Sequence, residues 1–491
     1  MLGDIIKKEI LDNLLSHKFL FIFILCSALI LFSIYIGASD YVESKKEYDA
    51  NMAVLGERMQ PPETTAFFIE REGYRIYRPP QVLRTIVAGV EDAAGRASYP
   101  NKWYENNLTE SKNESNAIFT LFGSLDIMFA VKFVLSLFAI FFAYDAVSGE
   151  KEKGTLKLML SNSVSRNRLI SGKIIGNYLS MLLLFLTPLL MGLVLLSVYP
   201  GVSLNDGDWT RLLFIFLMFL LYISVFFVLG IFVSALTARP STSFLVLLFL
   251  WIALVIVIPG ASVVVAEHVR PVQASSLLMA EKGTFFIQLQ QKVMAEYLER
   301  QNTCSQRTRP NSAPADLGQT QEYSRKFSEC MEELTSKSDS PSIQTHFAQM
   351  DRDYQLKKEA QQSLAKNISR VSPASALTFG GMTLARTGTD EYDRFLAATR
   401  TYRWIYRNWD PATGKIRTES VMPGAPLGMF VSGGQSPIDA NVIANIPRLQ
   451  FEPERLGESL NRTLTDFALM AAMTIILLVG AFFAFMRYDV R

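Results

Sequence analysis

Apolar positions in this chain gather in blocks rather than spreading along it. Six stretches, 19–37, 125–144, 174–198, 212–235, 242–266 and 465–486, are almost continuously apolar. A hydrocarbon core of about 30 Å divided by about 1.5 Å of helix rise per residue asks for about 20 such residues, and each block meets that length. Five of the six contain no Lys or Arg, as expected where a charge at the centre of a span costs at least about 2.5 kcal/mol. The pattern predicts a mainly α, polytopic membrane protein with six transmembrane helices. The first run is long for a cleaved leader, so it is read as a retained span.

Between the blocks the pattern changes. Residues 1–18 place Leu2, Ile5, Ile6, Ile10, Leu14 and Leu15 at three-and-four spacing, with Asp4, Lys7, Lys8, Glu9 and Asp12 largely opposite. That predicts an interfacial amphipathic helix, either a mechanical element or a plain lead-in to the first span. The chain then divides into the first span at 19–37 and a first extracytoplasmic segment at 38–117. Residues 118–266 hold spans two to five and a cytoplasmic connector at 145–173. A second extracytoplasmic domain covers 267–463, and the last span with its tail covers 464–491. In the first polar segment Pro79 and Pro80 precede a predicted helix. The second is long enough for a domain of its own and reads as mostly helical up to a proline- and glycine-rich return at 411–453. Pro188 predicts a bend in the third span, and Pro259 with Gly260 a break in the fifth.

Net charge over the 491 residues is only +2, which gives no reason to propose nucleic acid as a partner. The distribution says more. Lys7, Lys8 and Lys18 precede the first span. Lys151, Lys153, Lys157, Arg166, Arg168 and Lys173 lie between the second and third, Arg239 lies between the fourth and fifth, and Arg487 and Arg491 follow the last. The loop between spans three and four has no basic residue until Arg211 at its far edge. The positive-inside rule places both termini in the cytoplasm and the two long segments outside. Cys26 falls within the first span, while Cys304 and Cys330 share the outer domain. An oxidising compartment allows those two to pair; the other reading is two separate thiols.

No catalytic, metal or cofactor site can be assembled from the sequence. Its three histidines, His17, His268 and His346, are dispersed, so a His-Glu-x-x-His site is absent, as is a Gly-x-Ser-x-Gly elbow. The chain is not read as an enzyme. Asp126 and Lys132 are ionisable groups at the second span. They are read either as outward-snorkelling or helix-contacting side chains, or as part of a substrate path. The stretch "YDAVSGEKEKGTLKLML", 144–160, spaces Gly149 and Gly154 like a nucleotide loop. It lacks the Lys that would reach a phosphate, and it follows a span rather than a buried strand. It reads instead as a connector in which Thr155 caps a short helix bearing Leu156, Leu158, Met159 and Leu160. Apolar side chains on so charged a connector favour a protein partner; the alternative is a solvated turn held at the headgroups.

The run "DAVSGEKEKGTLKLMLSNSVSRNRLISGKIIGNYL" resembles the membrane subunits of second-class, exporter-type ATP-binding-cassette transporters. That family shows Asp, Ser-Gly-Glu, a charged pair, Gly-Thr-Leu, a Leu-rich turn, Ser-Arg and Gly-Lys entering a span. "RPPQVLRTIVAGVE" and "SRVSPASAL" are similar to segments of its subgroup with enlarged extracytoplasmic loops. The resemblance implies a permease whose connector contains a coupling helix docked on a separate ATPase subunit. Asp145, Glu150, Glu152, Gly154, Thr155, Leu156 and Leu160 would form or shape that contact, and Arg166 and Lys173 would position the next helix. It further implies ATP and Mg bound by the partner rather than by this chain, a second permease copy, and a multi-pass place in a bacterial cell (inner) membrane. An amphipathic cargo and a purely mechanical signal to an extracytoplasmic partner both remain open, as does an anchor or receptor without an ATPase.

Overall fold

The computed structural model describes residues 2–58, 75–91, 93–98, 125–155, 166–308, 317–336, 343–410, 415–416, 449 and 451–487. Among these, six helices are long and apolar enough to cross a membrane: His17–Val54, Ile127–Glu152, Asn167–Val198, Asp206–Leu236, Pro240–Val269 and Leu456–Met486. The chain is a mainly α, polytopic membrane protein.

Two compact units are present. One comprises residues 1–263, 366–414 and 438–491, the other 264–365 and 415–437. The polar segment taken as one domain over 267–463 is thus divided, and much of its second half clusters with the spans.

In the span-bearing unit α1 (Leu2–Leu14) is followed at once by α2 (His17–Arg58). Ser16 makes the corner: its Oγ accepts the Phe19 N–H at 3.1 Å and donates to the Asn13 carbonyl at 2.7 Å, satisfying groups that a helix end leaves open. The second span, α3, covers 127–143. It begins where Asp126 caps it, accepting the Phe129 N–H at 2.7 Å, and it contains a π turn at Ala130–Leu135. After the short α4 (Ser148–Glu152) come α5 (Arg166–Val198) and α6 (Asp206–Leu236). The fifth span, α7, covers 240–269 and has its own π turn at Ala253–Val257.

The break expected at Pro259 and Gly260 is therefore not a break. Pro259 lacks the N–H that would reach the Val255 carbonyl, and the helix absorbs the defect one turn earlier by widening. A π turn leaves a carbonyl without its helical partner, and here Ser372 donates its hydroxyl to the Leu254 carbonyl.

Where Pro79 and Pro80 precede an expected helix, there is only a 3₁₀ turn at Val82–Thr85. Tertiary contacts take the backbone groups a longer helix would need: the Ile86 carbonyl accepts the Met128 N–H at 3.4 Å, and the Ala88 N–H donates to Asp126 Oδ2 at 2.8 Å. The flanking strands β1 (Ile76–Tyr77) and β2 (Ala97–Ser98) pair antiparallel.

In the second unit, α8 (Ser275–Thr308) and α9 (Leu317–Ser336) are joined by a disulfide between Cys304 and Cys330. Helix α10 (Ile343–Ser369) meets α8 through the Lys282–Asp351 ion pair and a stack of Phe285 on His346 with ring centres 4.0 Å apart.

Helix α11 (Pro373–Ala385) belongs again to the span-bearing unit, with α12 (Thr389–Asn408) and the last span, α13 (Leu456–Met486). At 13 residues α11 is too short to cross a bilayer, yet Ala374, Ala376, Leu377, Gly380, Gly381, Leu384 and Ala385 on it are buried, packed mainly against α6 and α13.

Candidate functional site

The charged connector is assembled from three spans. At the end of α3 the chain turns through 144–147 into α4. The turn is held from α6: Ser234 Oγ accepts the N–H groups of Val147 at 3.1 Å and Ser148 at 3.0 Å. Lys151 donates its ammonium to the carbonyls of Ala235 and Thr237, the orphan acceptors at the end of α6, where the helix dipole favours a cation. Gly154 then closes the turn at φ 73°, a left-handed conformation that glycine adopts without a Cβ penalty. This accounts for the nucleotide-loop spacing: Gly154 stops a helix. Thr155 donates its hydroxyl to the Glu150 carbonyl at 3.4 Å.

Lys173 on α5 ties the connector to the amino-terminal helix. Its ammonium lies 2.6 Å from Glu150 Oε1 and 2.9 Å from Glu9 Oε1, with its side chain 6% exposed. Glu9 reaches it because α1 lies directly on α5. A Cβ on Gly172 would stand 2.7 Å from Ile5 Cγ2, and one on Gly176 would stand 2.7 Å from Glu9 Cβ, so the two glycines, one turn apart, leave room for the backbones to approach. Asn13 donates to Asn177 Oδ1 at 2.6 Å and extends the contact. One lysine therefore joins α1, α4 and α5, while Ser234 and Lys151 join the same connector to α6.

The residues singled out from sequence divide accordingly. Glu150, Lys173 and Thr155 come together. Asp145 makes a separate 3.7 Å ion pair with Lys18, both side chains well exposed, a contact worth little in water. Glu152 is exposed. Leu156 and Leu160 lie outside the described residues, as does the side chain of Arg166. Asp126 is engaged at both oxygens, by Phe129 N–H and Ala88 N–H; Lys132 is half-buried in the π turn of α3.

Sequence reading missed Glu9, Lys151 and Ser234. The Gly172-x-x-x-Gly176 spacing was the one legible trace of the α1–α5 contact. It also missed Arg211, which is wholly buried and donates to the Leu384 carbonyl and Ser459 Oγ, each at 3.0 Å, and to the Glu454 carbonyl at 2.7 Å.

The family comparison agrees with this architecture over nearly the whole chain. A family model described as ABC-2 family transporter protein matches residues 4–490. The chain belongs to this family. No curated protein matches it. As an ABC-2 member it is the permease, the membrane subunit of an ABC transporter, and its family partners with an ATPase subunit.

Proposed function

We propose that this permease couples ATP hydrolysis on a separate nucleotide-binding subunit to the export or extraction of an amphipathic substrate. The observation that carries the reading is Lys173, which binds Glu150 of the connector and Glu9 of α1 at once. A displacement of α4 by a docked ATPase would pass to α5 and α1 through that ammonium, and to α6 through Ser234 and Lys151. Buried charge-assisted contacts suit such a relay, since separating them leaves uncompensated charge. Asp145, Glu150, Glu152, Gly154, Thr155, Leu156 and Leu160 form or shape the docking face, and Arg166 and Lys173 set the helix behind it. ATP and Mg reside on the partner, and two permease copies work together in the subgroup with enlarged outer loops.

The disulfide between Cys304 and Cys330 supports an orientation with that unit on the oxidising side of a bacterial inner membrane and both termini in the cytoplasm. The same unit, compact by itself, favours a second reading in which ATP-driven motion is delivered to an extracytoplasmic partner and nothing crosses.

The test is purification of the full chain in nanodiscs, wild type against a Leu156→Glu, Leu160→Glu variant. A nucleotide-binding subunit and its ATPase activity are expected with wild type and are expected to be lost in a variant that still folds. Wild type that captures no ATPase would replace the coupled permease with an anchor or receptor.

A further inference from the structure

We infer that Lys132 is the counter-ion for an anionic headgroup, a carboxylate or a phosphate, on an amphiphile whose apolar chain lies along the aromatic ledge beside it. The inference rests on the amphipathic-cargo reading above and adds the charge of the cargo.

Several charged groups in or beside the spans are matched by protein. Arg370 pairs with Asp466 at 2.8 Å, Lys173 has two carboxylates and Arg211 has three acceptors. Lys132 differs. Among the described residues it enters no ion pair, and the carboxylate that acts on it electrostatically is Asp126, both of whose oxygens are occupied by backbone N–H groups. A half-buried ammonium in a span is a place where an anion is favoured, as intramembrane ionisable groups commonly mark ligand paths.

Its setting is built rather than incidental. Lys132 lies in the π turn of α3, an irregularity that recurs at functional positions. Its own carbonyl is fixed by the Tyr222 and Ser136 hydroxyls, each donating at 2.7 Å, so the backbone cannot drift. The ammonium stands 5.1 Å from the centre of the Phe133 ring. That ring contacts Phe129 at 4.8 Å and Trp251 at 6.5 Å between centres, and Trp251 is oriented by its 2.8 Å hydrogen bond to Ser136 Oγ. Phe129 and Leu125 are exposed. One cation at the edge of three aromatic rings matches a molecule with one negative end and one apolar end.

Depth agrees as well. Six residues separate Lys132 from the Asp126 cap, about 9 Å along the helix. Helical side chains lean toward the amino terminus, which brings the ammonium close to the boundary between acyl chains and headgroups.

The probes are spin-labelled stearate at alkaline pH, spin-labelled phosphatidylglycerol and spin-labelled phosphatidylcholine, each added to the full chain in nanodiscs and read by electron paramagnetic resonance as the motionally restricted fraction. The anionic labels are expected to exceed phosphatidylcholine several-fold on wild type and on Lys132→Arg. The excess is expected to fall to parity on Lys132→Met with its thermal unfolding unchanged.

Displacement of labelled stearate by unlabelled phosphatidylglycerol would identify the ligand as a bilayer lipid. Stearate that resists displacement would identify a free acidic amphiphile. Parity among labels on wild type, or an excess that survives in Lys132→Met, overturns the inference. Because no ATPase enters this readout, a positive result beside a failed ATPase capture would retain the headgroup site and discard the coupled permease.

Discussion

Among the described residues, the span-bearing unit and the 264–365 part of the other unit both consist mainly of long helices, but different forces hold them. In a bilayer, lipid tails are as apolar as leucine, so hydrophobicity does not favour helix against helix over helix against lipid; close approach and polar contacts decide the pairing. The first unit accordingly places Gly172 and Gly176 under α1, Ser234 under the connector, and Lys173, Arg211 and Asp466 among specific partners. In the second unit α8 buries only Leu278, Lys282, Leu289 and Cys304. A covalent link to α9 reinforces this sparsely buried helix. The membrane unit is thus specified by a few polar and small residues, while in the other a crosslink joins α8 to α9 and an ion pair with a ring stack joins α8 to α10.

The sharpest way to break the comparison is Lys173→Ala. It leaves Glu9 and Glu150 facing each other without their shared cation, and removing one partner of a buried pair costs about 3–5 kcal/mol. The loss should lie toward the lower end because the glutamates are 18% and 19% exposed. Thermal unfolding in detergent measures it, and a Glu9→Gln, Glu150→Gln background should recover part of it. A wild-type melting temperature would mean that water already screens the site.

Next in size is Cys304→Ser. Opening a bridge with a sequence separation of 26 is expected to cost about 3 kcal/mol. The effect should appear as faster proteolysis of α8 and α9 with the unfolding of the spans unchanged; a shift of both together would show that the units do not melt separately.

The smallest effect is expected at Glu391 on α12, where burial pushes the carboxyl above its ordinary value against the opposing pull of Arg78 and Arg394. A carboxyl raised in the native state binds its proton more tightly there than in the unfolded chain. Its contribution is therefore fully present below the ordinary glutamate value and is lost as pH rises through the folded one. Glu391→Gln should gain stability relative to wild type as pH rises above the ordinary glutamate value. A constant difference across that range would show that Glu391 does not titrate there.

Much of this was legible beforehand, for identifiable reasons. The six spans could be read because a bilayer requires length and apolarity together, and both are properties of the chain alone. The connector could be recognised as charged chain between spans, and Cys304 and Cys330 as two cysteines in one polar segment. Helix α11 could not: it is half the length of a span and rich in Ala and Gly, so neither hydropathy nor amphipathic period marks it, and its burial depends on the α6 and α13 surfaces it meets. Arg211 looked like the edge of a loop, and only the arrival of Leu384, Glu454 and Ser459 from far along the chain encloses it.

The sequence by itself determined that this chain resides in a bilayer, how many times it can cross, and that its charged connector resembles an ABC permease. Solvent exclusion acts on each segment separately, and so leaves its mark in local composition. Which carboxylates share Lys173, which hydroxyl satisfies each π turn, and why Lys132 enters no ion pair among the described residues were decided by tertiary structure. Those outcomes depend on groups brought within about 3 Å from distant parts of the chain, a range over which hydrogen bonds form and fail.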